Sequence, residues 1–212
     1  MAKLNFVYGA MNSGKSDSLI KTAYNYVDRG LSIVTIKPAV DIKGGDHIVA
    51  RAGGKWRVDL LADKTTNLEA LITSTYVSNH TTVHCILVDE AQLLQPEQVD
   101  QLYRVTKLHD ISVVAYGLRT DFKTKVFPGS ARLLELADTI NKLVTMCRCG
   151  EQAEFNCRKV HDAFIFEGEQ VAVDGFDEIS YDSLCGTCYY KEKQQNSAIT
   201  KEQYGSRVVS KI

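Results

Sequence analysis

An eight-residue motif near the amino terminus constrains this chain more than any other feature. Residues 9–16 read Gly-Ala-Met-Asn-Ser-Gly-Lys-Ser, which fits the pattern G-x-x-x-x-G-K-[ST]. An apolar run over residues 4–8 precedes the motif, and helical spacing of apolar residues follows it from residue 18. A strand before the loop and a helix after it are the context that a phosphate-binding loop requires. The motif therefore predicts a site for a nucleoside triphosphate.

The residue types in this loop match the chemistry of phosphate binding. Gly9 and Gly14 allow the backbone to curl so that its N–H groups converge on phosphate oxygens. Lys15 is expected to place a positive charge on the β- and γ-phosphates, and Ser16 to supply a hydroxyl ligand for Mg²⁺. The residues expected to hold the nucleotide are Gly9, Ala10, Met11, Asn12, Ser13, Gly14, Lys15 and Ser16.

Apolar runs alternate with helical patterns along the first 145 residues. Such an alternation predicts βαβ units, and hence an α/β fold with a mostly parallel sheet flanked by helices. Residues 39–58 carry four glycines and many charges without a period, and they are predicted to form a mobile loop. The predicted strands are 4–8, 31–37, 83–89, 111–117 and 139–145.

Two acidic residues follow the third predicted strand. Because the carboxyl ends of parallel strands face the ligand crevice, Asp89 is predicted to contact Mg²⁺. Glu90 is predicted to polarise a hydroxyl or a water in line with the γ-phosphate, although one of the two could simply end the strand and face solvent. Residues 141–144 begin like a guanine-binding Asn-Lys-x-Asp motif but lack the acid, so ATP is the expected nucleotide.

Five of the six cysteines follow residue 146. Four of them form two close pairs, and four thiolates would close a tetrahedral shell around a structural Zn²⁺. Cys157 is a conceivable substitute ligand, whereas Cys85 lies in a predicted strand and is expected in the core. The expected zinc ligands are Cys147, Cys149, Cys185 and Cys188.

These patterns divide the 212 residues into three parts. Residues 1–145 are predicted to form a P-loop ATP-binding α/β domain. Residues 146–193 are predicted to form a small, ribbon-like zinc-binding domain, and residues 194–212 a polar carboxyl-terminal tail.

Composition argues against several classes of partner. The chain has 25 Lys and Arg against 26 Asp and Glu, and a nucleic acid polymer usually requires a basic excess. No apolar run approaches the about 20 residues needed to cross a bilayer, so no membrane association is expected. The amino terminus has no secretory pattern, so the cytoplasm is the expected location. In that reducing compartment, clustered cysteines more often bind metal than form disulfides.

The motifs together resemble those of the type II thymidine kinases, especially the bacterial and bacteriophage branch. The resemblance covers the chain to about residue 193 and rests on five segments. These are the phosphate loop, Val88-Asp89-Glu90-Ala91-Gln92, Tyr116-Gly117-Leu118-Arg119-Thr120-Asp121-Phe122, the two cysteine pairs and Tyr181-x-Ser183-x-Cys185. Leu93 and Lys43 depart from the pattern, which commonly has Phe and Arg at these positions.

The resemblance implies ATP-dependent transfer of the γ-phosphoryl group to the 5′-hydroxyl of thymidine or deoxyuridine. It also implies a homotetramer and feedback inhibition by thymidine triphosphate. Glu90 would be the general base beside Lys15, and Asp89 and Gln92 would contact the nucleotide. A loop between Gly168 and Ser183 resembles the family's "lasso" over the base. The implied nucleoside pocket comprises Met11, Leu118, Phe122, Phe127, Val173 and Tyr181.

Two other functions compete with this interpretation. A P-loop ATPase that acts on nucleic acid through its zinc module would carry a basic surface near the cysteines. Residues 147–193 instead contain more acidic than basic side chains. A nucleotide sensor without catalysis would not require the acidic pair at 89–90. An assay with ATP and a panel of nucleosides separates the three.

Overall fold

The computed structural model describes residues 1–168, 170 and 179–196, and its packing forms two compact units. The first, called the sheet unit here, contains Met1–Gly9, Ser13–Arg119 and Val126–Leu143. The second, called the cysteine unit, contains Ala10–Asn12, Thr120–Lys125 and the described residues from Val144 onward. The expected boundary after residue 193 falls inside a helix over residues 186–196, and residues 197–212 lie outside the described part.

The sheet unit is built on a parallel sheet of six strands, which confirms the predicted fold class. The strands of this unit are β1 Leu4–Tyr8, β2 Ile33–Pro38, β3 His47–Val49, β4 Lys55–Arg57, β5 Leu60–Ala62, β6 Cys85–Val88, β7 Ser112–Gly117 and β8 Thr139–Lys142. The order in the main sheet is β5-β2-β6-β7-β1-β8, and every pair of neighbours is parallel. The carboxyl ends of β1 and β6, where the predicted site residues begin, therefore lie at the same edge.

Helices cover both faces of this sheet. They are α1 Lys15–Val27, α2 Leu68–Ile72, which continues as a π-helical turn Thr73–Val77, α3 Pro96–Leu108 and α4 Pro128–Leu136. Alternate strand residues point to opposite faces. Ile86 and Val88 pack in the cluster that contains residues of α2, α3 and α4, whereas Cys85 and Leu87 pack with α1. Cys85 is thus a core residue, as the sequence predicts.

The stretch 39–58 differs from the loop that the sequence predicts. It contains the antiparallel hairpin β3–β4, and the buried Ile48 packs in the same cluster as Leu19 and Ile20 of α1. Two strands of three residues, separated by glycines, are too short to show an alternating pattern. Apolar contact with α1 therefore orders a segment whose local sequence gives no such signal.

The cysteine unit contains a small antiparallel sheet in the order β10-β9-β11. Its strands are β9 Phe155–Val160, β10 Ala163–Ile165 and β11 Ile179–Leu184. β9 and β10 form an antiparallel hairpin, and β11 pairs antiparallel along the full length of β9. Its core is one small cluster that includes Cys147, Cys157, Cys185 and Tyr189.

Across the part of the chain that the structure describes, every helix is too short or too polar to cross a bilayer.

Candidate active site

The phosphate loop meets α1 in the geometry that an anion requires. Gly14 is the N-cap of α1 and has φ +76°, a conformation that glycine adopts without strain. At Gly9, an added Cβ would lie only 2.3 Å from the Ser13 hydroxyl oxygen and 2.7 Å from the Leu143 carbonyl oxygen. Both glycines are therefore required for this curl of the chain, which exposes the amino end of α1 to a ligand.

The buried hydroxyl of Ser13 is consistent with the predicted phosphate site. Among the described residues, its Oγ is one of two buried side-chain oxygen or nitrogen atoms that have no hydrogen-bond partner. Leaving a buried hydroxyl unpaired costs about 1–3 kcal/mol, so such an atom calls for a specific explanation. A phosphate oxygen would accept the Ser13 proton, and the partial positive charge at the end of α1 would favour the same anion.

Lys15 and Asp89 are groups of opposite charge that are both largely buried from solvent. Lys15 is 9% exposed, and its ammonium donates to the Gly9 carbonyl oxygen at 3.3 Å. Burial lowers the pKa of Lys15, while Glu90 and Asp89 act against that shift. Asp89 is 5% exposed, and burial followed by the charge of Glu90 raises its pKa. A buried carboxylate beside a second acid is stabilised by a cation, which fits the Mg²⁺ contact predicted for Asp89.

Glu90 adopts a backbone conformation that is unfavourable for its side chain. It has φ +47° and ψ 38°, in the left-handed region, directly after β6 and before the short 3-10 turn Ala91–Leu93. For a residue other than glycine this conformation costs about 1–3 kcal/mol, and such residues concentrate at functional sites. The half-buried carboxylate accepts a hydrogen bond from Gln92 Nε2, and Gln92 Oε1 accepts one from the Leu118 backbone amide.

The remaining pocket residues predicted in the sheet unit lie after β7. Leu118 is half-buried, and its carbonyl oxygen accepts a bond from Ser130 Oγ at 2.5 Å. Phe127 is buried as the N-cap of α4 and donates its backbone N–H to the Arg119 carbonyl oxygen at 3.4 Å. Arg119 lies over the Tyr8 ring, 5.5 Å from its centre.

Three other predicted pocket residues lie in the cysteine unit. The Met11 backbone is held on both sides, because its N–H donates to Asn156 Oδ1 at 2.7 Å and its carbonyl accepts from Ser183 Oγ at 2.6 Å. Phe122 is buried, and its carbonyl oxygen accepts a bond from the Tyr189 hydroxyl. Tyr181 lies on β11. Val173, like most of the expected lasso, lies outside the described residues.

Arg158 and Asn156 are buried polar residues of this region that sequence reasoning missed. The Arg158 guanidinium lies 4.0 Å from the centre of the Phe122 ring and donates to the Tyr181 hydroxyl at 3.1 Å. Asn156 connects Met11 to the Thr120 carbonyl, to which its Nδ2 donates at 2.7 Å. Both residues lie on one face of β9. Their separation by two positions, which is the period of side chains along one face of a strand, is the one feature of the sequence that could indicate them.

The four predicted zinc ligands meet in one place. Their sulfur atoms all lie within 4.8 Å of one another, and Cys149 and Cys185 are 3.6 Å apart. Tetrahedral Zn²⁺ with bonds of about 2.3 Å requires sulfur separations of about 3.8 Å, so the donor set fits this ion. Burial raises the pKa of Cys147, but hydrogen bonds from the Cys149 and Cys185 backbone and the neighbouring thiols outweigh it and lower the value to about 7.

Cys157 is buried near this cluster but is not one of the four residues that form it. Burial is the main cause that raises its pKa to about 12, which disfavours the thiolate that a metal requires. The four-residue ligand set therefore explains the cluster better than the alternative that includes Cys157.

Comparison with known proteins finds one family that matches most of the chain. The model of the thymidine kinase family, "TK: Thymidine kinase", matches residues 2–189. The thymidine kinase of Enterobacteria phage T4 is 41% identical over 187 residues, which is 87% of this chain and 94% of the relative. The thymidine kinase of Shewanella oneidensis is 41% identical over 186 residues, covering 87% and 95%. That of Coxiella burnetii is 40% identical over 186 residues, covering 87% and 93%.

Proposed function

Because the chain belongs to the thymidine kinase family and phosphorylates thymidine with ATP, we propose that Glu90 accepts the proton of the reacting hydroxyl. The single observation that carries this role is the position in which the Glu90 carboxylate is held. It is held by a hydrogen bond at the end of β6, on a strained backbone next to the buried Asp89. A proton acceptor must be held in a fixed direction, and the hydrogen bond from Gln92 restricts the direction of this carboxylate.

The phosphate loop is proposed to hold the triphosphate of ATP. The backbone N–H groups at the start of α1, the Ser13 hydroxyl and the Lys15 ammonium would contact its oxygens. Mg²⁺, when bound, neutralises charge on the phosphates, and Asp89 and Ser16 would hold it. Lys15 stabilises the negative charge that develops on the transferred group, and its burial strengthens that interaction.

The transfer itself then needs little covalent chemistry from the protein. The 5′-oxygen of thymidine forms a bond to the γ-phosphorus while the bond from that phosphorus to the β–γ bridging oxygen breaks. ADP leaves, and the hydroxyl proton moves to a carboxylate oxygen of Glu90. Positioning of the two reactants accounts for most of the acceleration in this class of reaction.

The nucleoside-binding residues remain a proposal. Met11, Phe122 and Tyr181 in the cysteine unit supply an apolar chain and two rings, which suit a flat pyrimidine. The packing of Arg158 on Phe122 supports this role, because it fixes one ring in place. The roles of Leu118, Phe127 and Val173 rest on the family resemblance alone.

Several further properties are proposed on the same basis. These are use of deoxyuridine as a second substrate, feedback inhibition by thymidine triphosphate, a homotetramer and a cytoplasmic location. The four clustered cysteines are proposed to hold one structural Zn²⁺ that leaves no open coordination position. Sedimentation, inhibition by thymidine triphosphate and metal analysis test these properties separately.

The assay that tests the catalytic role compares Glu90→Gln with the parent protein. The variant should bind ATP and thymidine normally and lose about 10²–10⁴ in kcat, the usual scale for a positioned proton acceptor. Glu97→Gln on the first turn of α3 is the matched control and should keep full activity. Unchanged kcat in Glu90→Gln would contradict the proposed base. ATP hydrolysis that depends on single-stranded DNA, without formation of thymidine monophosphate, would favour the nucleic-acid alternative.

A further inference from the structure

Gln92 connects the carboxylate of Glu90 to the end of a neighbouring strand. The residue is 4% exposed and lies on the short turn that follows Glu90. Its Oε1 accepts the Leu118 backbone N–H at 2.9 Å, and its Nε2 donates to Glu90 Oε2 at 2.5 Å. Leu118 directly follows β7, which pairs with β6, so one amide joins the ends of two adjacent strands.

The orientation of this amide follows from the groups around it. A backbone N–H can only donate, so Leu118 must face the oxygen of the Gln92 side chain. The nitrogen then faces Glu90, where a carboxylate can only accept. Both partners thus select the same orientation, and a flipped amide would lose both bonds.

The surroundings leave little room for this amide to move. A Cβ on Gly117 would lie 2.8 Å from Gln92 Oε1, and a Cβ on Gly129 would lie 3.0 Å from the Gln92 carbonyl oxygen. The Leu118 peptide is held on its other side by Ser130 Oγ, which donates to the Leu118 carbonyl. Glycines at both positions therefore allow the close packing that fixes Gln92.

We propose that Gln92 is the positioning residue for Glu90, holding one carboxylate oxygen so that the other faces the reacting hydroxyl. The inference rests on the proposed role of Glu90 as proton acceptor. A glutamate side chain on a turn can adopt several rotamers, and a fixed hydrogen bond selects one of them. The family resemblance places Gln92 among the nucleotide contacts. Its own contacts, to Glu90 and Leu118, assign it this other role.

A double-mutant cycle with Glu90→Ala distinguishes a positioning role of Gln92 from a purely structural one. Gln92→Met keeps the size of the side chain but removes both hydrogen bonds. This variant should lower kcat by about 10–100-fold, because a misplacement of a reacting group by about 1 Å has an effect of that size. The KM values of ATP and of thymidine should change less than about twofold. In the Glu90→Ala background the same substitution should change kcat less than about twofold, because the group that it orients is gone.

A second variant isolates the donated hydrogen bond. Gln92→Glu keeps an oxygen for the Leu118 amide but replaces the donor to Glu90 by a second carboxylate oxygen. Its kcat should fall at least as far as that of Gln92→Met, again only when Glu90 is present. Because its shape is unchanged, it also provides the test if Gln92→Met does not fold.

Gln101→Met is the matched control. Gln101 is a buried glutamine of α3 whose Oε1 accepts the Leu68 backbone N–H at 2.7 Å, as Gln92 does from Leu118. Its replacement should lower the thermal midpoint while kcat stays within about twofold of the parent, the size of effect expected away from the chemistry.

The results that would contradict the role of Gln92 can be distinguished from the result that would contradict the role of Glu90. A higher KM for ATP with unchanged kcat would make Gln92 a nucleotide contact, and an equal loss of kcat with and without Glu90 would make it structural. Either result would overturn the positioning role alone. Full activity of Glu90→Ala by itself would instead overturn the proposed base, and the role of Gln92 with it.

Discussion

The two units build their cores by different means. The sheet unit has apolar clusters on both faces of a six-stranded sheet, with residues such as Phe6, Val113 and Leu102 completely buried. The cysteine unit has one cluster of seven buried residues, and three of these are cysteines. Apolar burial can therefore hold the first unit together, whereas the described residues of the second bury few apolar side chains, so we expect a metal bound by its cysteines to contribute to its stability.

The proposed phosphate and nucleoside groups fall mainly in different units, although Ala10–Asn12 of the phosphate loop belong to the cysteine unit and Leu118 and Phe127 to the sheet unit. The proposed phosphate and proton-transfer groups belong to the sheet unit: Lys15 is the first residue of α1, and Asp89 and Glu90 directly follow β6. A rigid sheet fixes such residues without a metal. The ring residues proposed for the nucleoside, Phe122 and Tyr181, belong to the cysteine unit. Damage to one unit should therefore affect one ligand more than the other.

Lys15→Ala should produce the largest loss. The transferred phosphoryl group loses the lysine ammonium of the loop, so kcat should fall by about three orders of magnitude or more. Zinc content should be unchanged, because the ligand cysteines belong to the other unit. A coupled assay and elemental analysis on the same preparation check both statements. Retention of most activity would rule out the assignment of the phosphate loop.

Cys185→Ser should affect the cysteine unit. The parent is expected to hold about one zinc per chain and the variant much less, since one of four thiolate ligands is removed. The thermal midpoint should fall, and the KM of thymidine should rise about tenfold, because residues of this unit would have to become ordered upon binding.

Cys157→Ser is the matched control for this effect. Cys157 is also buried in the same unit but lies outside the four-residue cluster. This variant should keep its zinc and its thymidine KM. If Cys185→Ser kept a full complement of zinc while Cys157→Ser lost it, the ligand set given above would be wrong.

A change in the apolar core should have a smaller effect that is confined to stability. Leu102→Ala on α3 removes a completely buried side chain and should lower the free energy of unfolding by about 2–5 kcal/mol. Leu108→Ala on the same helix is the control, because Leu108 is 67% exposed and its loss should cost less than about 0.5 kcal/mol. Denaturant titration of both variants measures the difference. Zinc loss from Leu102→Ala would contradict the separation of the two cores.

The sequence predicts the features whose signals are local. The phosphate loop, the acidic pair after β6 and the two cysteine pairs are each encoded in a few consecutive residues. Gly9 and Gly14 illustrate this, because each is required by contacts or dihedral angles within the loop and its neighbouring strand.

Features that depend on distant contacts could not be predicted. The hairpin β3–β4 is ordered by the packing of Ile48 near α1, and β11 by pairing with β9. Asn156 and Arg158 would be expected at the surface because polar side chains usually are. They are buried because partners far along the chain satisfy them, as Met11 does for Asn156 over 145 residues. Gln92 belongs to the same class, since its role depends on Leu118, 26 residues away.

Calorimetric titration of two variants with both ligands tests the central claim most directly. Lys15→Ala should weaken the binding of ATP and leave the affinity for thymidine unchanged, while Cys185→Ser should weaken the binding of thymidine and leave the affinity for ATP unchanged. A loss of affinity for a different ligand in each variant is the result expected if the sheet unit binds the phosphates and the cysteine unit supports the nucleoside. Weaker binding of both ligands by both variants would contradict it.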